Sequence, residues 1–309
     1  MYIYHHWQGL RHKHKKIVIG LGNFDGLHIG HQKLISEIML LSKEIGGTPA
    51  VFTFYPHPLA VLAPDNCPPM LLSQEEKRRL FESLGVEVLL LVPFNLEFAR
   101  FSPEDFIRNV LNEDLGVSGV VVGYNFTFGY RGQGTPELLE EQSARYNYQA
   151  RVVSPVVLNG QVVSSSLVRG LLSKGKVEEA AKFLGYYPFV EGDVVTGKKR
   201  GGVLGFPTAN LDINKELLVP ANGVYAVKVH VDGETYLGVA NIGVKPTFQG
   251  QMRNIEVHLL DFYQDLYGKK IRVKFTRRLR EERRFNTTSE LVKQIEQDII
   301  QTRLAVDSR

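Results

Sequence analysis

Between Ile17 and about Leu184 the chain alternates short apolar runs with amphipathic, capped stretches, and this alternation restricts the fold more than any other feature. IVIGLG leads into QKLISEIMLLSKEIGG and then PAVFTFY; SQEEKRRLFESLG leads into VEVLLLVPF; SPEDFIRNVLNEDLG leads into VSGVVVGYNF. Runs that are apolar along their whole length suit strands covered on both faces, and strands alternating with helices build βα units on a parallel sheet. Ser73 with Glu76, and Ser102 with Pro103 and Asp105, supply hydroxyl caps for first-turn amides, while Gly46, Gly85 and Gly116 mark helix ends. After Gly185 the pattern changes. FVEGDVV, GVYAVKVHV, ETYLGVANIGV, NIEVHLLDF and KIRVKF alternate polar and apolar positions and are separated by turns such as Asp232-Gly233, which predicts a small closed antiparallel barrel. A helix from Ser289 to about Leu304 ends the chain. The expected domains are residues 1–185 and 186–309, with no internal repeat.

Length and composition allow both domains a core: 309 residues, 43% hydrophobic and 23% charged. The formal charge of +4 is slight for this length, and the basic clusters Arg11–Lys16, Lys198–Arg200 and Arg277–Arg284 are short. Small anions are therefore expected as ligands rather than nucleic acid. Glu281 and Glu282 interrupt the longest cluster, and Phe285 is the only aromatic beside it. Cys67 is the only cysteine, so no intramolecular disulfide can form, and it is read as structural. No apolar run reaches the length of a membrane span and no apolar signal core precedes the first charges, so a cytoplasmic protein is expected. His5, His6, His12 and His14 are interleaved with lysine and arginine that repel a cation, so this segment is expected to be solvated and mobile.

GNFDGLHIGH, Gly22 to His31, lies where the first strand of the alternation turns into a helix. A helix N-terminus offers free N–H groups and the positive end of its dipole, and Gly22, Gly26 and Gly30 let backbone come close to an anion. His28 and His31 are three residues apart, on one side of the first turn. Two imidazole donors over such a turn can stabilise charge on a nucleotide α-phosphate during attack, which is nucleotidyl transfer without a covalent intermediate. A dinucleotide-binding turn fits less well, because Asp25 replaces the third glycine and both histidines go unexplained. A zinc pair lacks nearby ligands to complete four. In an open parallel sheet, FTFYPHP (Phe52 to Pro58) and VVGYNFTFG (Val121 to Gly129) end their strands on the same edge, so all three loops should meet in one crevice. Ser165 and Arg169 open a further helix in SSSLVRGLLSKGKVEEAAKFLG.

The second half carries its own candidates. GDVVTGKKRGG nearly matches a Walker A loop, but Lys199 replaces the magnesium-binding hydroxyl and no helix follows. Gly197 and Lys198 can still hold phosphate through backbone and charge. Thr208 and Asn210 are two apart on an extended chain, so both point to one side; they are oxygen ligands for magnesium or parts of a surface turn. Glu256 alternates with Ile255 and Val257, and is either a base for a substrate hydroxyl or a solvent-facing carboxylate.

Taken in order, GNFDGLHIGH, FTFYPHP, VVGYNFTFG, SSSLVR, GFPTANL, GVYAV, ANIGVKPTF, EVHLLDFYQDLYG and RLREERRF resemble the bacterial bifunctional riboflavin kinase/FAD synthetase family over nearly the whole chain. The resemblance implies a Rossmann-like nucleotidyltransferase domain that adenylylates FMN to FAD, and a riboflavin kinase barrel that makes FMN, each using ATP with Mg2+. It implies that His28 and His31 hold ATP phosphates, with Asn23, Asp25, Asn125, Ser165 and Arg169 around the same nucleotide. Pro56, His57 and Pro58 would border the flavin. In the kinase half it makes Thr208 and Asn210 the magnesium and phosphate ligands and Glu256 the base, with Arg280 and Phe285 near the flavin. Asn125 stands where many members have aspartate, and Leu167, Gly202 and Lys245 stand where arginine is common. Fewer fixed charges around the kinase phosphates leave a monofunctional FAD synthetase with a weak kinase half as the alternative expectation.

Overall fold

Six parallel strands form one sheet in the order β1 (Tyr2–Tyr4), β4 (Val88–Val92), β3 (Thr48–Phe54), β2 (Ile17–Leu21), β5 (Gly119–Gly123) and β6 (Gln149–Val153). The computed structural model describes residues 1–197, 204–247 and 250–307, in two units, Met1–Ser164 and Ser165–Arg309. Lys198 and Gly202 lie outside the described residues, as does the side chain of Lys245.

In the first unit the chain runs from β2 outward through β3 to β4, then returns past β2 to place β5 and β6 on its other side. The order reverses between β2 and β5, and such a reversal opens a crevice at the carboxyl ends of the strands. α1 (Ile29–Ile45) covers one face with Leu34, Ile35, Ile38 and Leu41. It lies close because the strands beneath it carry glycine: a Cβ on Gly20 would stand 2.2 Å from Ile38 Cδ1, and one on Gly119 2.7 Å from Leu41 Cδ2. The alternate residues Ile17, Ile19 and Leu21 enter a second core with Phe52, Phe106 and Leu139. The further helices of this unit are α2 (Pro58–Leu62), α3 (Gln74–Ser83), α4 (Pro103–Asp105) and α5 (Pro136–Tyr146), the last of which gives Leu139 to this core. Ser73 and Ser102 cap α3 and α4 as expected, accepting from the amides of Glu76 and Asp105. Past α4 the helix widens into i→i+5 turns over Phe106–Asp114. Gly46 ends α1 in the left-handed conformation, at φ 64°. After β6 the chain forms a short antiparallel hairpin of β7 (Val157–Leu158) and β8 (Gln161–Val162).

The N-terminal segment departs from expectation. Instead of a solvated tail, Tyr2–Tyr4 pairs with β4, Leu10 is fully buried, and Trp7 packs on Phe52, Phe98 and Phe101. Its apolar residues, spaced among the cations, dominate; His14 is taken up by the Tyr4 hydroxyl at 3.0 Å.

The second unit opens with α6 (Ser165–Leu172) and α7 (Val177–Leu184), followed by β9 (Phe189–Val195), β10 (Ala209–Asp212), β11 (Gly223–Val231), β12 (Glu234–Thr247), β13 (Gly250–Leu259) and β14 (Lys270–Arg280). The strands close as an antiparallel barrel in the order β10-β13-β12-β11-β14-β9, with β9 joining both ends. Tyr225, Val227, Val229, Val257, Val273 and Phe275 fill it, and the helix Thr288–Asp307 packs against β11, β12 and β14. α6 and α7 fall with the barrel in this unit. The Ala221 amide donates to the Leu172 carbonyl at 2.9 Å, and at the α6–α7 turn a Cβ on Gly175 would meet the Tyr225 hydroxyl at 2.8 Å. Among the described residues no helix is long and apolar enough to cross a membrane.

Candidate functional sites

The loop after β2 leaves the sheet at the β2/β5 reversal. Gly22 is tied to β3 through its amide, which donates to the Phe52 carbonyl at 3.2 Å. The chain then passes through left-handed conformations at Phe24 (φ 49°), Gly26 (φ 79°) and Leu27 (φ 36°). Two of these are not glycine, so surrounding contacts must hold the strain. Phe24 and Leu27 are buried, and Phe24 lies 5.4 Å from the Phe81 ring and 5.3 Å from the His31 ring. A Cβ on Gly26 would fall 2.6 Å from Leu71 Cδ1. The Asp25 carboxylate is buried, and its oxygens accept from the Leu71 amide at 3.0 and 3.1 Å.

His28 caps α1. Its Nδ1 accepts from the His31 amide at 3.3 Å, and the two imidazoles stack with centroids 3.6 Å apart and planes 14° from parallel. A neutral ring that accepts at Nδ1 carries its proton on Nε2 and can donate from there. Gly30 makes room for this arrangement, since a Cβ would lie 3.1 Å from His28 Nδ1. His31 Nδ1 is buried without a hydrogen-bond partner. Burial first, then the charges of His28 and Lys77, hold the His31 pKa well below the usual 6.5, so this imidazole is uncharged at neutral pH. His31 therefore offers an uncharged imidazole beside a helix N-terminus, a setting suited to oxygens whose charge rises during reaction. Lys77, on α3, has no motif to announce it; its only signal in sequence is a lysine on the inward face of an amphipathic helix.

β3 and β5 flank β2 in parallel, so their following loops open on the same edge. After β3, His57 caps α2 with Nδ1 accepting from the Leu59 amide at 3.2 Å, between Pro56 and Pro58. After β5, Asn125 is exposed in the turn closed by the Phe126 amide on the Gly123 carbonyl. The Asn23 side chain is exposed, while its carbonyl accepts from the Thr53 hydroxyl. Ser165 and Arg169 stand a turn apart on α6, in the second unit.

In the barrel, Asn210 of β10 pairs across the ladder with Glu256 of β13, whose other register neighbour is Asn241 of β12. Ile255, Val257 and Leu259 point into the core, leaving half-buried Glu256 on the other face, where Asn254 Nδ2 donates to its Oε1 at 3.0 Å. Thr208 stands just before β10, and Asn210 lies on it between Ala209 and Leu211, all three of them buried. The Pro207 carbonyl lies 2.8 Å from His258 Nδ1, which ties the approach to β10 to β13. Backbone at Gly197 presses on the Asn210 amide so closely that a Cβ would stand 2.1 Å from Nδ2. Beside Thr208 a pocket of about 160 Å³ is lined by Val194, Ala209, Val257, Phe262 and Tyr267 among others. The Arg280 guanidinium grips buried Asp298 of the C-terminal helix, with Nη2 at 2.8 Å and Nε at 3.0 Å, and lies over the Phe285 ring at 5.7 Å.

An open parallel sheet with a histidine pair at its reversal, and a closed barrel with hydroxyl, amide and carboxylate on one face, define a two-domain phosphate-transfer enzyme. Residues 10–167 match the FAD synthetase family and residues 184–306 match the riboflavin kinase family. The chain is 42% identical over 306 residues to the bifunctional riboflavin kinase/FMN adenylyltransferase of Bacillus subtilis (strain 168), covering 96% of this chain and 95% of the relative. The proteins of that description from Listeria monocytogenes and Escherichia coli (strain K12) are 38% and 36% identical, each across 93% of this chain and 91% of the relative. The chain belongs to the bifunctional riboflavin kinase/FMN adenylyltransferase family and carries an FAD synthetase domain and a riboflavin kinase domain. A crystal structure titled as a macrolide-efflux protein from Streptococcus pneumoniae has the same fold, with TM-score 0.87 at 30% identity over 96% of this chain and 97% of that one.

Proposed function

We propose that the Gly22–His31 loop transfers AMP from ATP to FMN, and that the face of the barrel around Asn210 and Glu256 transfers the γ-phosphoryl group of ATP to riboflavin. The observation that carries the first assignment is the stacked His28–His31 pair capping α1 at the strand-order reversal. An FMN phosphate oxygen attacks the α-phosphorus, the bond to pyrophosphate breaks, and the imidazole N–H groups and first-turn amides hold the charged oxygens. Asn23 and Asn125 border this crevice, Pro56, His57 and Pro58 border the flavin, and Asp25 shapes the loop from beneath. Ser165 and Arg169 are assigned to the nucleotide by the family motif alone, as is Lys198 to phosphate.

In the barrel, Glu256 takes the proton of the ribityl 5′-hydroxyl as its oxygen attacks the γ-phosphorus and ADP leaves. Thr208 and Asn210 are uncharged oxygen donors pointing the same way, a set suited to Mg2+, which keeps several waters and takes its remaining oxygens from phosphate. Bound there with ATP, Mg2+ would neutralise phosphate charge. The pocket beside Thr208 has the apolar lining to take adenine, and Phe285 is assigned to the flavin side. The functional division is assigned to residues 1–185 and 186–309, a reading supported by the riboflavin kinase match beginning at residue 184. The cross-strand placement of Asn210 and Glu256 supports a working kinase over a silent one.

Supplying riboflavin or FMN separately with ATP and magnesium, and resolving the flavins by chromatography, tests both assignments. Glu256→Gln is expected to abolish FMN formation and spare FAD formation from FMN, and His31→Ala to do the reverse. Loss of both activities in either variant would refute the two-site assignment.

A further inference from the structure

No other lysine or arginine among the described residues is as buried as Lys77, which is 5% exposed. Its Nζ donates to the Asn23 carbonyl at 3.0 Å, the same oxygen that accepts from Thr53. The charge that faces it from the loop is Asp25. Buried Glu76, next to it on α3, is taken by Arg79 at 2.8 Å. The same helix sends Phe81 against Phe24. α3 thus meets the strained loop at two points, one polar at residue 23 and one aromatic at residue 24. The titratable groups that act on His31 are His28, which caps α1, and Lys77 of α3, while Asp25 of the loop faces Lys77.

Resting on the transfer-site reading above, we propose that Lys77 is a positioning residue for adenylyl transfer: it pins the loop at the Asn23 carbonyl and supplies a fixed positive charge behind the histidine pair. A lysine present only to neutralise Asp25 would satisfy folding and leave the histidines indifferent to it. This ammonium acts on His31, because a positive charge held in a poorly solvated setting disfavours a second one nearby. Its effect adds to those of burial and His28 in keeping the His31 imidazole uncharged, with the loop held where phosphate oxygens meet its amides. It also adds a fixed attraction for a polyphosphate without spending a side chain inside the crevice.

The test uses the full chain with Lys77→Met and Lys77→Arg. FAD formation from FMN is followed from pH 5.5 to 8.5, and the His31 imidazole is titrated by NMR, assigned by comparison with His31→Ala. Riboflavin phosphorylation is the internal control. In K77M the His31 midpoint is expected to rise and the acid limb of FAD formation to rise with it; a midpoint restored fully to the ordinary 6.5 leaves about a quarter of the ring uncharged at pH 6, an upper limit of about fourfold loss against pH 8. K77R is expected to keep the low midpoint, and the control to be unchanged. Because K77M strands Asp25, the charge-balanced pair K77M with Asp25→Asn provides the same readout in a chain that keeps the Leu71 contact. An unmoved midpoint, with FAD formation lowered equally at every pH, would reduce Lys77 to packing and overturn the proposal. Undiminished FAD formation by H31A would overturn the site reading and the proposal together, which separates the two failures.

Discussion

Replacing Gly197 with alanine is expected to disable riboflavin phosphorylation while FAD formation from supplied FMN continues. The added Cβ would lie 2.1 Å from Asn210 Nδ2 and 2.6 Å from its Cγ, where nonbonded atoms settle at about 3.5 Å. Relieving the overlap requires a shift of about 1.4 Å by the amide or by the loop. Asn210 has little freedom to give way: it is 8% exposed and held in the ladder between β9 and β13. The backbone at Gly197 is not left-handed, so alanine adds no conformational strain and the effect is steric alone. Misplacing a positioned group by about 1 Å costs on the order of 10²-fold in rate, equivalent to about 2.7 kcal/mol of transition-state stabilisation. The assay compares kcat/KM for FMN formation in the variant and the parent, with FMN adenylylation and the thermal unfolding midpoint measured on the same preparations. FMN formation within about threefold of the parent, with the barrel intact, would refute the placement of Asn210 in the kinase site.

Two other perturbations read the framework. Arg280→Met strips buried Asp298 of its guanidinium and is expected to destabilise the barrel unit by about 3–5 kcal/mol in chemical denaturation, with R280M combined with Asp298→Leu recovering most of the loss; equal losses in the single and double variants would refute the buried-pair account. His31 has a lowered pKa in the folded state, so below about pH 6.5 the unfolded chain binds the extra proton and the first unit loses stability as pH falls toward the folded pKa, by at most about 1.4 kcal/mol per pH unit from this group. His14 is also lowered, chiefly by burial, and adds to that slope, so the difference between the parent and His31→Gln isolates His31; Trp7, the only tryptophan, reports unfolding by fluorescence, and identical pH slopes would refute the depressed pKa.

Local signals in the chain were sufficient wherever one segment decides its own structure. The βα alternation, the serine caps at Ser73 and Ser102 and the left-handed end at Gly46 are contacts within a few residues, and each appears where its residues stand. The same holds for His28 and His31, whose spacing places them on one turn, although stacking depends on His28 acting as cap and on Gly30 leaving room. Glu256 needed a partner strand to become more than an alternating polar position. Asn210 and Asn241 arrive beside it only through barrel closure, and no spacing rule links residue 210 to residue 256.

The residues hardest to read were those whose role is set by charge brought together from distant segments. Asp25 sits inside the nucleotide motif and invites assignment to the ligand, yet its carboxylate is turned to the Leu71 amide and to Lys77. Arg280 lies in a basic stretch and invites assignment to a substrate, yet its fork is taken by a carboxylate 18 residues later on the C-terminal helix. Lys77 shows the reverse: periodicity places it facing inward on α3, where an isolated lysine would be costly, and the cost is offset by the Asn23 carbonyl and the Asp25 charge. Replacing both members of such a pair with apolar residues is often neutral or stabilising. Stability alone therefore does not require an ammonium behind His31, which is why its removal should be read in the titration of the imidazole and not in the melting temperature.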